Sequence, residues 1–151
     1  MAYSAVSVAN SIIKLAKERG VTDLTPMKLQ RLMYFAQFWY VKNFNKFLID
    51  DWFSRWESGP VIPSIYHQLK YYGSNSPVNN YIWVVSANNE AIVYIMNNNP
   101  NAWNFLNEIL DAYGNLDGVS LLAITQRDNS AWSRGEIGTA ITKQDILDAT
   151  N

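Results

Sequence analysis

The chain is expected to be mainly α: a compact single-domain bundle of about five to six helices with a short β-hairpin or extended segments. Three observations lead there. Apolar residues recur at helical spacing in several separate stretches. Those stretches open on residues that cap or start helices, and two of the clearest close at glycine. Segments 81–85 and 91–96, by contrast, are rich in β-branched and aromatic residues around Asn88–Asn89.

Segment 4–19 places Ala5, Ala9, Ile12, Ile13 and Ala16 on one stripe, opposed by Lys14, Lys17 and Glu18, and Gly20 stops it. The next helix starts with Thr25 as N-cap and Pro26 at the first helical position. The hydroxyl can accept an orphan amide proton, and proline has no amide proton to lose. Leu29, Leu32, Met33, Ala36 and Tyr40 form its stripe, while Tyr34, Phe35, Phe38 and Trp39 make much of the remaining surface apolar. Such a helix should be central or should lend a face to a partner.

Asn43–Asn45 reads as a turn, and part of 47–56 as extended. Gly59–Pro60 reads as a rigid turn. Ile62, preceding Pro63, is pushed toward extended geometry, and Pro63 opens a helix to about Tyr72, closed by Gly73. Segment 81–96 reads as a β-hairpin, with a helix starting near Ser86 as the competitor. Segment 100–113 is the cleanest helix: Ala102, Phe105, Leu106, Ile109, Leu110 and Tyr113 keep helical spacing ahead of Gly114. Asp117 can cap a helix to about Gln126. Segment 127–139 is irregular, and Thr142–Asp145 resembles a capping box before Ile146 and Leu147.

Composition narrows the function classes. The 151 residues are 48% hydrophobic and 17% charged, which suits one folded domain. A formal net charge of −1 lacks the basic surface that a general grip on nucleic acid needs. With no cysteine, disulfides, thiolate catalysis and cysteine-based metal sites are excluded. Residues 1–10 do not resemble a secretory signal, and no apolar run approaches the roughly 20 residues of a membrane span. The expectation is a cytoplasmic protein that binds neither membrane nor nucleic acid directly.

Reactive constellations are sparse, and no cofactor or metal is expected. His67 is the only histidine, sits mid-helix, and suits a surface or structural role better than catalysis. Glu57 beside Trp56 could be a carboxylate raised by burial against an aromatic, but an ordinary loop carboxylate fits better. Asp50–Asp51 lacks the further spaced oxygen ligands that a hard cation needs.

The aromatics say more. Trp39, Tyr40, Phe44, Phe47, Trp52, Phe53 and Trp56 fall within 18 residues. Most suit a core. A remainder at the surface would be of the types that anchor protein interfaces. Base stacking on them would need a basic track, and Lys42, Lys46 and Arg55 are offset by Asp50, Asp51 and Glu57. The expected partner-binding residues are Trp39, Trp52 and Trp56, with Arg55 at the rim.

The run Leu24-Thr25-Pro26-Met27-Lys28-Leu29-Gln30-Arg31-Leu32-Met33-Tyr34-Phe35-Ala36-Gln37, with Trp39-Tyr40, resembles the signature helix of the Panacea domain, the SocA-like antitoxin family. So does Trp56-Glu57-Ser58-Gly59-Pro60-Val61-Ile62-Pro63 with Tyr66 and Tyr72-Gly73. The resemblance spans nearly the whole chain; it is specific at 24–66 and weak at 75–100. Two features depart: Thr125-Gln126 and Ala131-Trp132 stand where the family often carries Thr-His and Pro-Trp. The resemblance implies a mostly helical bacterial or phage protein that neutralises a cognate toxin by direct contact. It also implies that the chain could serve as an adaptor to a AAA+ protease. Within the signature, Thr25, Pro26, Lys28, Gln30, Tyr34, Gln37, Gly59, Pro60 and Tyr66 are expected to be structural, some of them tying elements together by buried hydrogen bonds.

Three functions stand at this point. The first is an antitoxin-like module. The second is a phage or mobile-element protein using the same scaffold on another host protein or on itself as a homo-oligomer. The third is an enzyme with a site around Glu57, Tyr66 and His67.

Overall fold

A computed structural model describes residues 2–73 and 75–150. Among them are six α-helices and two small antiparallel two-stranded sheets, so the molecule is mainly α. Helix α1 (Ala5–Glu18) is capped by Ser4, whose hydroxyl accepts from Ser7 N at 3.1 Å. Helix α2 (Pro26–Phe44) starts as its residues dictate. Thr25 Oγ1 accepts from Lys28 N at 3.2 Å, and Pro26 occupies the first turn. The expected turn at Asn43–Asn45 is shorter than its asparagines suggested: the helix continues through Phe44, and Asn45 alone ends it at φ 56°. Asparagine tolerates this left-handed conformation better than most residues.

The rigid turn expected at Gly59–Pro60 is instead a strand. Strand β1 (Ser54–Trp56) pairs with β2 (Gly59–Val61), Arg55 lying opposite Pro60, and the turn falls on Glu57–Ser58. Arg55 directs its backbone N–H and C=O away from β2, to Thr139 O and from Gly138 N. The Arg55–Pro60 pair therefore exchanges no ladder bond, and proline's missing N–H costs nothing there. Gly59 has φ 98°, and a Cβ on it would stand 2.9 Å from Leu122 Cδ1. Both facts favour glycine.

Helix α3 (Pro63–Leu69) stops short of the expected Tyr72, the chain turning where Tyr72 N meets Leu69 O at 3.0 Å. The hairpin expected over 81–96 forms, but only Val84–Val85 (β3) and Ala91–Ile92 (β4) pair. The competing helix at Ser86 does not form, because the Ser86 hydroxyl accepts from Asn88 N and Glu90 N and closes a turn. Helix α4 (Pro100–Tyr113) and helix α5 (Gly118–Thr125) are capped by Asn99 and Asp117. A 3-10 turn at Trp132–Arg134 interrupts the irregular segment, and helix α6 (Lys143–Asp148) carries the capping box of Thr142 and Asp145.

Helix α2 is the hub. It packs against the other five helices, α1, α3, α4, α5 and α6, and against β2. Leu29, Leu32, Met33, Phe35, Phe38 and Val41 are buried, and the apolar cluster around them runs from Ala5 to Ala149. A helix surrounded on all sides is why its sequence is apolar nearly all round.

Candidate protein-binding site

Four polar residues of α2, Lys28, Gln30, Arg31 and Gln37, are buried too, and each holds a loop by its backbone. Lys28 is 1% exposed; its Nζ donates to Asp23 Oδ1 at 2.7 Å and to Gly114 O at 2.8 Å. Gln30 exchanges two bonds with Ile62, Nε2 to O and N to Oε1, both 3.0 Å. Gln37 Oε1 accepts from Leu48 N and Ile49 N at 2.9 Å, while its Nε2 donates to Ile49 O. Arg31 Nη1 and Nη2 reach Gly118 O and Ser58 O. The partners are almost all main-chain atoms. The signature helix thus sets loop backbones while leaving loop side chains free to vary.

Among the described residues, two buried side-chain polar atoms, Arg31 Nε and Tyr34 Oη, have no hydrogen-bond partner. Tyr34 is edge-on to Phe35 and Phe53 at 5.5 Å, and burial pushes its phenol above the ordinary range.

Arg55 is not at a rim. It is 2% exposed. Its guanidinium donates to the carbonyls of Ala131, Trp132 and Ala140, to Thr139 Oγ1, and to Asp145 Oδ2 at 2.8 Å. Gly135 gives it room: a Cβ there would lie 2.5 Å from Nη1. Arg55 ties β1 to the loop before α6. It was misplaced because its partners lie more than 70 residues away, beyond any local pattern.

The three tryptophans do not form one cluster. Trp39 is half-buried against Phe38, with Nε1 donating to Tyr113 Oη at 2.7 Å. Trp52 is 56% exposed and lies edge-on to Phe47. Trp56 is half-buried and edge-on to Tyr66 at 5.0 Å, and its carbonyl accepts from Trp132 Nε1. Thus Trp52 offers a free face, whereas Trp39 and Trp56 are partly engaged by the fold.

His67 and Glu57 are exposed, and His67 lies edge-on to Tyr66. Asp51 is occupied by Trp52 N and Ser64 Oγ. Among the described residues no group of three or more His, Asp or Glu is placed to hold a metal ion. A cleft of about 750 Å³ opens between α2 and α4, with Tyr40, Phe44 and Phe105 in its wall and Asn101, Asn104 and Glu108 at its edge. No helix among the described residues is long and apolar enough to cross a membrane.

An exposed apolar surface that the sequence reading passed over lies on the β3–β4 hairpin. Trp83 is 54% exposed, Val85 61%, Val93 45% and Tyr94 49%. Tyr81-Ile82-Trp83-Val84-Val85 reads as a continuous apolar run, the pattern of a strand buried on both faces. The signal that this face is open is the shortage of further segments to cover a second sheet face.

What the geometry defines is a helical scaffold with an internally braced hub and uncovered aromatic and aliphatic side chains on its periphery. The model of the family described as "Antitoxin SocA-like, Panacea domain" matches residues 29–133. The chain belongs to that family. No curated protein and no solved structure is detectably similar to it.

Proposed function

We propose that this chain is an antitoxin-like protein that neutralises a toxin by direct protein–protein contact in the cytoplasm of a bacterium. The observation that carries the reading is the family match over 29–133, which takes in the braced helix α2 from Leu29 onward, both hairpins, α4 and α5. The bracing supports it. Lys28, Gln30, Arg31 and Gln37 act on main-chain atoms, so a loop can change its side chains, and with them its partner, without disturbing the hub. Preformed loops also lower the ordering cost of association. A non-enzymatic role follows from neutralisation by contact.

The test is co-expression with the product of the adjoining gene in a bacterial host. That product should arrest growth alone, and growth should recover when this chain is present. A neighbour that is harmless alone, or an arrest this chain does not relieve, would overturn the reading for this pair.

A further inference from the structure

The β3–β4 hairpin combines three properties that rarely occur together in an ordinary surface loop. Its outer face is apolar. In the register Val84↔Ile92 and Val85↔Ala91, Val84 and Ile92 are half-buried while Val85 and Ala91 are exposed. Alternation places Trp83 and Val93 with the exposed pair, and both are indeed exposed. Its own segment is nearly uncharged, and Lys14 of α1, paired with Glu18, interacts with Tyr81 at its base. From Tyr71 to Asn107 the one charged residue is Glu90, and 81–96 contains no Lys, Arg or Pro. Soluble proteins usually guard an open strand edge with such residues. Here, among the described residues, the sheet has two strands, so each strand has an open edge.

The third property is a rigid root. Asn10 of α1 is fully buried, and its Nδ2 donates to Ile82 O and Tyr94 O at 2.7 and 2.8 Å while its Oδ1 accepts from Ile82 N. Next to it, Ser11 Oγ accepts from Met96 N at 3.1 Å. Both legs are therefore held from inside, with Ile82 and Met96 buried. An apolar hairpin on a fixed base is preorganised for association.

We infer that β3–β4 is the docking surface for the neutralised protein. Its occupant is an extended, apolar, uncharged segment of that protein, which adds to the hairpin as a further strand and covers Trp83, Val85 and Val93. The chemistry follows from the face: main-chain bonds satisfy the open edge, apolar side chains cover the apolar ones, and a charge laid over Trp83, Val85 and Val93 would lose water against apolar side chains. This inference rests on the antitoxin reading.

The experiment measures binding of the full-length chain to the purified product of the adjoining gene, for wild type, Trp83→Lys and Val85→Lys. Val119→Lys, an exposed site on α5, serves as control, and melting of each variant is followed by circular dichroism. Expected are a loss of at least about thirtyfold for both hairpin variants, with unchanged melting, and no loss for Val119→Lys. Wild-type affinity should change by less than about threefold between about 0.05 and about 0.5 M salt, because screening acts on charge pairs. Binding retained in both hairpin variants, or lost instead in Trp52→Ala, overturns this surface and leaves the antitoxin reading standing. No binding by wild type overturns both. A wild-type homodimer dissolved by Trp83→Lys, with partner binding intact, assigns the face to a second copy and also overturns the proposal.

Discussion

Tyr34 and Arg55 show two opposite fates for a buried polar side chain. The Tyr34 hydroxyl is buried without a partner. Leaving such a group unsatisfied costs about 1–3 kcal/mol, so Tyr34→Phe should raise stability by about 1 kcal/mol in urea unfolding. A loss of stability would show that the hydroxyl has a partner after all. Arg55 is fully engaged, and Arg55→Met strands the Ala131, Trp132 and Ala140 carbonyls together with Asp145. It should cost roughly 3–5 kcal/mol, read from the same unfolding curves. The ion pair also sets an acid limit. Burial pushes the Asp145 carboxyl up, but bonds from Thr142 and Arg55 outweigh it and hold the group below its ordinary value of 3.8. A depressed folded pKa gives stability that is fully present above 3.8 and lost as pH falls through the depressed value. Asp145→Asn should therefore weaken the protein at neutral pH and flatten the decline below pH 4, checked by melting temperature against pH.

At the scale of the element, helix starts were legible because their causes are local. Thr25–Pro26, Asp117 and the Thr142–Asp145 box each lie within four residues of the bonds they make. What local pattern could not show was which chain segment would cover which. Gly59–Pro60 looked like a breaker because glycine and proline usually are. It is a strand because Arg55 turns its main-chain groups toward 138–139 and leaves Pro60 nothing to donate to. The hairpin at 81–96 was legible as strands, but nothing local in it showed that Trp83 and Val85 would be left exposed. Asn10, meanwhile, lies outside the apolar stripe of α1 and carries no local signal of its role, although it braces a hairpin more than 70 residues away. Asn10→Ala should release that brace while leaving α1 and α2 folded. Hydrogen exchange at Ile82 and Met96 should quicken by at least about tenfold, with α2 amides unchanged. Equal quickening throughout would mean that Asn10 supports the whole fold and not one hairpin.

For the whole molecule, one division organises the structure. The inner part, α2 with its buried lysine, arginine and glutamines, sets the backbone of the loops around it. The outer part, with Trp52 and the β3–β4 hairpin, carries side chains that the fold leaves uncovered. The proposed function would give that division a purpose, a fixed frame presenting the side chains that meet the partner, within a chain that belongs to the antitoxin family. The resemblance was readable in 24–66 because those residues build the frame. The exposed surface was not, because side chains that the fold leaves uncovered have no obligation to it. Neutralisation by contact is stoichiometric, whereas neutralisation by an enzyme is not. Titrating the purified chain into a fixed amount of the adjoining gene's product, and assaying residual toxin activity, separates the two most directly. The account predicts a linear fall that reaches its end at a fixed stoichiometric ratio and yields an isolable complex. Complete loss of toxin activity at a small fraction of that ratio, with no complex formed, would contradict it.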